Sequence, residues 1–203
     1  MELTLEQGEY LVRLARKAVE TYLSTGERIS LREPPDWARE ESGVFVTLRK
    51  LISGGGQELR GCIGYPEPVM PLYKALISAA LASALEDPRF PEVGLHEMDS
   101  ITVEVSVLTK PKKIEVEDRR ELPKAIRIGR DGLIARRGFR SGLLLPQVPV
   151  EEGWDAEEFL CYTCIKAGLP PDCWLDEETE FYSFAAIVFS EESPRGRVKM
   201  VEL

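Results

Sequence analysis

The residues best suited to chemistry lie in one short segment, Leu59-Arg60-Gly61-Cys62-Ile63-Gly64. Cys62 carries a thiol, and strand alternation would place Arg60 on the same face unless a bulge intervenes. A guanidinium near a thiol favours the thiolate. The flanking glycines, Gly61 and Gly64, permit close approach of the backbone to a neighbour. The segment therefore predicts either an activated thiol beside a ligand or a β-bulge in which Cys62 is a small buried hydrophobe.

A nucleophilic cysteine normally needs a base, and the chain offers two candidates. His96 is the only histidine, although a lone histidine is more often a structural or surface residue than a catalyst. Glu104 lies on the polar face of a predicted strand, where burial would raise its pKa and suit it to acid–base work. Its alternative is a solvated strand face. We predict Cys62, Arg60, Glu104 and His96 as the catalytic candidates.

Ligand-binding candidates surround this segment and extend beyond it. Asp87 and Arg89 follow a predicted helix, where they form either a cap and an internal ion pair or part of a site beside Arg60. Gln147 follows a predicted strand and lies beside two prolines. Its amide can bond a ligand or satisfy loop backbone groups. The predicted ligand-binding residues are Gly61, Gly64, Asp87, Arg89 and Gln147.

The remaining cysteines give no metal site. Cys161 and Cys164 form one CxxC pair without a second pair or a nearby histidine, whereas zinc needs about four ligands. We therefore predict no metal, and read Cys161, Cys164 and Cys173 as buried hydrophobic residues. A disulfide that includes Cys173 is the alternative, because some thermophiles keep intracellular disulfides. No nucleotide-binding or hydrolase motif occurs, so the sequence leaves any cofactor unknown.

Composition limits the functional class. The chain has 203 residues, 43% of them apolar and 30% charged, which is typical of a soluble globular protein. It has no apolar run of about 18 residues and no secretory leader, so we expect no membrane association and a cytoplasmic location. The net charge of −9 argues against a protein that binds nucleic acid over its whole surface. The complete lack of asparagine, with 26 lysines and arginines, indicates a thermophilic source.

Hydrophobic periodicity predicts helices interleaved with antiparallel hairpins and no regular βαβ repeat. The fold class is therefore α+β. We expect a larger lobe of residues 1–109 plus 175–203 and a smaller lobe of residues 110–174. The predicted helices cover about 5–23, 71–85 and 155–168. The predicted strands are 44–52, 58–63, 101–107, 126–128, 133–135, 142–145 and 181–189, with a hairpin turn over 129–132.

Several motifs in register resemble the AMMECR family, named after a human chromosomal region linked to Alport syndrome, midface hypoplasia and elliptocytosis. They are the segments 59–64, 87–90, 104–108, 129–133, 143–147, 159–160 and 166–169. The resemblance implies an α+β fold of two unequal lobes with antiparallel sheets, packed helices and a cleft between the lobes. It implies no established activity. It also suggests a partner in a pathway with a Memo-type protein and a radical S-adenosylmethionine protein.

Three functional hypotheses follow. The first is a cytosolic enzyme or small-ligand-binding protein whose interlobe cleft contains Cys62, Arg60, Arg89, Glu104 and Gln147. The second is a non-catalytic interaction or regulatory module that uses the arginine-rich smaller lobe. The third and weakest is RNA or nucleotide binding by residues 112–140, which carry ten lysines and arginines against five acidic residues.

Overall fold

The first helix, α1 (Leu5–Thr25), begins and ends at sequence signals. Thr4 and Gln7 form a reciprocal capping box, in which each side chain accepts a hydrogen bond from the other residue's backbone N–H. Gly26 ends the helix in the left-handed conformation, with φ of 75°. The apolar face that these caps orient contributes Leu11 and Ala15 to the core. The computed structural model describes residues 3–201.

The described chain divides into two compact units. The first comprises the chain up to Leu108 together with the C-terminal segment from Ile187, and the second comprises Thr109–Ala186. The sequence pattern predicts boundaries at 109/110 and 174/175. The second boundary lies later because one long strand, β7 (Glu180–Glu191), is shared by both units.

Antiparallel strands form the sheet of the first unit. Strand β1 (Val44–Leu51) pairs with β2 (Gln57–Tyr65) on one side and with β3 (Ile101–Leu108) on the other. The C-terminal part of β7 pairs with β8 (Val198–Val201). The predicted glycine-rich turn thus joins β1 to β2, while β8 escaped prediction because it is only four residues long.

One face of this sheet packs on helices. Helix α2 (Leu72–Leu85) is apolar on nearly all sides and is almost completely buried, as expected of a central helix. Its side chains share a core with Val46, Leu48 and Val103. Since side chains alternate along a strand, the residues between them face the opposite side of the sheet.

A buried ion pair links the C-terminal end of β7 to α1. Glu191, 2% exposed, accepts hydrogen bonds from the Arg16 guanidinium, with Nε–Oε1 2.8 Å and Nη2–Oε2 2.5 Å. Arg16 also donates to the carbonyls of Met98 and Ile101. A buried charge is tolerated only when it is paired and hydrogen-bonded. The pair therefore specifies how α1 meets the ends of β3 and β7.

The second unit has its own core and its own antiparallel strands. Its elements are β4 (Lys112–Lys113), β5 (Asp131–Arg137), β6 (Arg140–Leu144), α3 (Gln147–Glu152) and α4 (Ala156–Lys166). Strand β5 pairs with β6 and with the N-terminal part of β7, whereas the short β4 pairs with β7. Helix α4 begins at an Asp155 capping box and supplies Phe159 to the core.

The predicted hairpin across 129–132 is wrong. Residues 126–128 form no strand, because Ile126 follows a 3-10 segment, Arg119–Ala125. The Asp131 carboxylate accepts the backbone N–H of Arg127 at 2.9 Å and closes a turn there. The hairpin is instead β5–β6, turning at Gly138 and Phe139. The α+β class is confirmed.

Cys164 and Cys173 form a disulfide, the alternative left open by the sequence. It joins the end of α4 to a 3-10 turn, Cys173–Leu175, beside the core of the second unit. Cys161 and Cys62 are free thiols. Within residues 3–201 no group of histidine, cysteine and acidic residues could hold a metal ion, and no described helix is long and apolar enough to cross a membrane.

Removing the disulfide should destabilise the second unit. The two cysteines are nine residues apart, and closing a loop of that length removes about 2–3 kcal/mol of unfolded-chain entropy. Cys164→Ala/Cys173→Ala should therefore lower the free energy of unfolding by about this amount in calorimetry or denaturant melts. Cys161→Ala is the control and should change little. A reducing agent that leaves the wild-type protein as stable as before would contradict the prediction.

Candidate functional site

The candidate site is a row of polar side chains on the sheet face opposite α1 and α2. Thr47 of β1 lies directly across from Cys62 of β2 and from Glu104 of β3. Residues directly opposite in such pairs have Cβ atoms about 4.5–5.5 Å apart. The sheet thus aligns a hydroxyl, a thiol and a carboxylate on three neighbouring strands. We call Thr47, Cys62 and Glu104 the polar row.

Cys62 faces the polar row because Gly61 faces the helices. A Cβ on Gly61 would lie 2.0 Å from the Ser83 carbonyl oxygen of α2, so only glycine fits there. The Ser83 hydroxyl also accepts the N–H of Ile63 at 2.9 Å and lies 2.7 Å from the Val46 carbonyl. A buried hydroxyl thereby bridges β1 and β2. Gly61 serves packing within the first unit.

Gly64 has a similar packing role on the other face. A Cβ there would lie 2.4 Å from the Phe45 ring and from the Val44 carbonyl. Phe45 is its cross-strand partner, so the aromatic ring covers the space that the missing side chain leaves. The predicted ligand role of the two glycines is therefore not needed to explain why they are glycines.

The Arg60 guanidinium is bound to Glu97, and within residues 3–201 no hydrogen bond or ion pair links it to Cys62. The β1–β2 register shifts between Leu48 and Arg49, which leaves Arg60 as the extra residue of a bulge. Its guanidinium binds Glu97, with Nη2–Oε1 3.0 Å and Nε–Oε2 3.2 Å, and the Pro91 carbonyl at 2.9 Å. Arg60 is only 8% exposed. It therefore fastens β2 to the segment that follows α2.

Asp87 and Arg89 hold the outer edge of β2. The buried Asp87 carboxylate accepts the Cys62 backbone N–H at 2.8 Å and the Arg89 side chain at 2.7 and 2.9 Å. These bonds, the Arg89 side chain first, hold the pKa of Asp87 far below its usual range. Arg89 also reaches the Cys62 carbonyl at 3.4 Å. The predicted internal ion pair exists and fixes the backbone of Cys62.

The Cys62 thiol is neutral at physiological pH. It is half-buried, and burial raises its pKa more strongly than the Thr47 hydroxyl and the Arg89 charge lower it. Thr47 donates to its sulfur at 3.3 Å. The carboxylates of Glu104 and Asp87 raise the pKa further. The group is therefore a hydrogen-bonding thiol and not a resting nucleophile.

Glu104 ends the row within reach of a cation. Its side chain is 15% exposed, and one of its oxygens lies 4.0 Å from the Arg49 guanidinium. Arg49 is on β1, two residues from Thr47 and on the same face. A carboxylate beside a hydroxyl and a thiol can accept hydrogen bonds from a polar ligand.

Two further predicted site residues, His96 and Gln147, make no hydrogen bond or ion pair with the polar row within residues 3–201. The exposed His96 ring lies against Gly94, and no hydrogen bond or ion pair links it to Cys62 within residues 3–201. Gln147 begins α3 in the second unit. Its Oε1 atom is the one buried side-chain polar atom of the described residues without a hydrogen bond.

Sequence reasoning missed Thr47, Ser83 and Glu97. Thr47 is a polar residue between the apolar Val46 and Leu48, which the strand period alone would have placed opposite the core. Ser83 lies in an alanine-rich helix and gives no sequence signal of its own. Glu97 is identified only by its distant partner, Arg60.

We expect Gly61→Ala to destabilise the protein by about 1–3 kcal/mol, because the new methyl would push α2 away from β2. Gly56→Ala in the same hairpin is the matched control, since its Cβ would meet only the flexible Ile52 side chain at 3.2 Å. Thermal melts of both variants measure the difference. Equal melting temperatures for the two variants would contradict the proposed close approach.

Glu97 should make stability depend on pH. The Arg60 guanidinium lowers the pKa of Glu97 from 4.5 to about 2, so the ionised form stabilises the fold. Glu97→Gln should cost on the order of 2–3 kcal/mol above pH 5. The difference from wild type should shrink as the pH falls from about 4.5 towards 2, because both states then bind the proton.

Denaturant melts between pH 2.5 and 7 measure this difference. Glu9→Gln is the control: Glu9 is half-exposed and pairs with Arg13 at 3.2 Å, so its loss should cost less than about 1 kcal/mol. A constant deficit of Glu97→Gln at every pH would show that shape, and not charge, is responsible.

Comparison with known proteins shows to which family the chain is related. The AMMECR1 family model matches residues 12–189. The chain is 58% identical to Protein PYRAB00100 of Pyrococcus abyssi, with 98% of this chain and 97% of the relative aligned. It is 55% identical to Protein MK0488 of Methanopyrus kandleri, with 100% and 97% aligned.

A solved structure agrees with these matches. The crystal structure of the uncharacterized protein PH0010 from Pyrococcus horikoshii superimposes with a TM-score of 0.87 at 56% identity and covers 98% of both chains. These relatives are archaeal thermophile proteins without an established function. The resemblance drawn from the sequence motifs is confirmed, and the chain belongs to the AMMECR1 family.

Proposed function

We propose that the protein binds a small polar molecule at the polar row, with the Cys62 thiol as a hydrogen-bond or proton donor. The observation that carries this proposal is the register that aligns Thr47, Cys62 and Glu104 across three strands. A hydroxyl, a neutral thiol and a carboxylate in line offer complementary donors and acceptors to one ligand.

Charge defines the ligand class. The Arg89 charge favours the thiolate of Cys62, whereas the carboxylates of Glu104 and Asp87 oppose it. Arg89 is already bound to Asp87 by two side-chain hydrogen bonds, so the Glu104 carboxylate is the charged group of the row itself that a ligand would meet. A neutral or cationic ligand with hydrogen-bond donors for Glu104 fits the polar row best.

Catalysis by this row would use acid–base chemistry. A protonated thiol can give a proton to a bound substrate, and a neighbouring carboxylate can accept one. Because the thiol is protonated at rest, nucleophilic attack would first require its deprotonation. We propose an enzyme of proton-transfer type as the catalytic form of this function, located in the cytoplasm.

The arginine-rich segment supports an interaction module or RNA binding less well. Arg137 binds Asp176 and the Thr179 hydroxyl. Arg130 binds Asp131, and Arg140 donates to the Gly168 carbonyl at 2.8 Å. Cations engaged within the fold are poor phosphate ligands, since a new contact must first break an existing one. A partner among Memo-type or radical S-adenosylmethionine proteins is a proposal from the family resemblance alone.

Thiol labelling tests the polar row. In Cys161→Ala the Cys62 thiol is the one free thiol, because Cys164 and Cys173 are disulfide-bonded. Its rate of reaction with an uncharged maleimide should be lower at pH 7 than that of a free cysteine and should rise with pH beyond the usual thiol range. Fractions of an archaeal metabolite extract that contain the ligand should slow this labelling severalfold.

The matched control is Cys62→Ala, in which Cys161 alone is labelled and no fraction should protect it. Thr47→Ala in the Cys161→Ala background should abolish protection while Cys62 still reacts. Absence of protection by every fraction, or equal protection of Cys161, would contradict binding at the polar row. A ligand that binds but is not converted would support the proposed binding site and contradict the proposed enzymatic activity.

A further inference from the structure

A cavity in the first unit lies between the segment after α1 and the first turns of α2. Its volume is about 350 Å³, within the range of small-molecule sites. Apolar side chains form much of its lining, namely Ile29, Leu31, Met70, Tyr73 and Ile77. All but Ile77 are half-buried, and Ile77 is 8% exposed. The cavity can therefore cover an apolar group of a ligand.

Two cations complete the lining, Arg28 and Lys74. Both are exposed, and within residues 3–201 neither makes a salt bridge or a side-chain hydrogen bond. The Lys74 ammonium lies 6.0 Å from the centre of the Tyr73 ring. Other arginines of this unit, such as Arg16 and Arg60, are bound to carboxylates. Arg28 and Lys74 thus place two unpaired positive charges at one apolar cavity, in a chain whose net charge is −9.

We propose that this cavity binds an amphipathic anion, a small molecule with a carboxylate or similar group on an apolar body. The anionic group would lie between Arg28 and Lys74, where it gains charge-assisted hydrogen bonds. The apolar body would lie on Met70 and Ile77 and leave water. The hydroxyls of Ser30 and Ser78, also in the lining, can donate to the same anionic group.

Methionine-methyl NMR tests the proposal with octanoate as the probe. Met70 lines the cavity, whereas Met98 is fully buried in the core and Met200 is exposed on β8. In protein labelled with carbon-13 at the methionine methyls, octanoate should shift the Met70 signal saturably and leave Met98 and Met200 in place. 1-Octanol and acetate at the same concentrations should shift Met70 about tenfold less effectively, because each lacks one half of the recognised chemistry.

Charge reversal supplies the variant test. Arg28→Glu/Lys74→Glu should weaken octanoate binding by about tenfold or more, from the loss of two exposed charge contacts and the addition of two repulsive ones. Lys17→Glu/Lys199→Glu changes the net charge equally at two exposed positions outside the cavity and should bind octanoate as the wild type does. The methyl spectra also report whether each variant remains folded.

Three results would overturn the proposal. One is an unmoved Met70 signal. Another is an equal response to octanoate and 1-octanol, which would leave the cations without a role. The third is an equal loss of binding in the two charge-reversed variants, which would reveal attraction by the overall charge alone. Labelling of Cys62 is measured separately, so this result and the test of the polar row are independent.

Discussion

The close approach of α2 to β2 at Gly61 is the constraint on which the candidate site depends. The Ser83 carbonyl occupies the space where a side chain would begin, and the Ser83 hydroxyl bridges the backbones of β1 and β2. With Gly61 fixed towards the helix, Cys62 must point to the other face. The same helix ends just before Asp87, whose carboxylate holds the Cys62 N–H. One helix therefore sets both the direction and the backbone position of the thiol.

The charged residues around α2 form ion pairs and hydrogen bonds that stabilise the fold. Arg60 and Arg89 are each bound to a carboxylate of the segment that follows α2. An edge strand exposes unpaired backbone groups, and Asp87 and Arg89 occupy those groups at Cys62. The arrangement protects the edge of β2 and at the same time removes the cation that would have ionised the thiol. An arginine that stabilises the fold by binding a carboxylate is less able to stabilise a thiolate.

The sequence was sufficient for the elements with strong local signals. The α1 capping box, the glycine turn between β1 and β2 and the alternation of Ile101–Leu108 all predict structures that form. It failed where distant groups decide. The Arg60 bulge depends on pairing between two strands, and the 127–131 turn depends on the Asp131 carboxylate. Periodicity carries no information about such partners. The hairpin predicted at 129–132 was therefore wrong, and periodicity could not decide between regular alternation at Arg60 and the bulge that forms there.

For the candidate site, residue type was predictable and role was not. Cys62 and Glu104 stand out in the sequence, but only the register shows that Thr47 lies between them. The protonation state of Cys62 depends on its burial, on the Thr47 hydroxyl and on charges from two other segments, which no local motif encodes. Arg60 was a misleading signal because a buried guanidinium must be paired with a negative charge. The Glu97 carboxylate supplies that charge, and the guanidinium is then not available to the Cys62 thiol.

The two proposed ligand sites of the first unit, the polar row and the cavity beside Met70, differ in their local charges. At the polar row Arg89 is bound to Asp87, and the Glu104 carboxylate favours a ligand that donates hydrogen bonds. At the cavity beside Met70 the cations have no carboxylate partner among the described residues, so a negatively charged ligand gains a favourable Coulomb interaction there. A chain of net charge −9 repels anions at long range, and salt screens that repulsion beyond about 10 Å. Local pairing, and not net charge, therefore determines which ligand each surface can select.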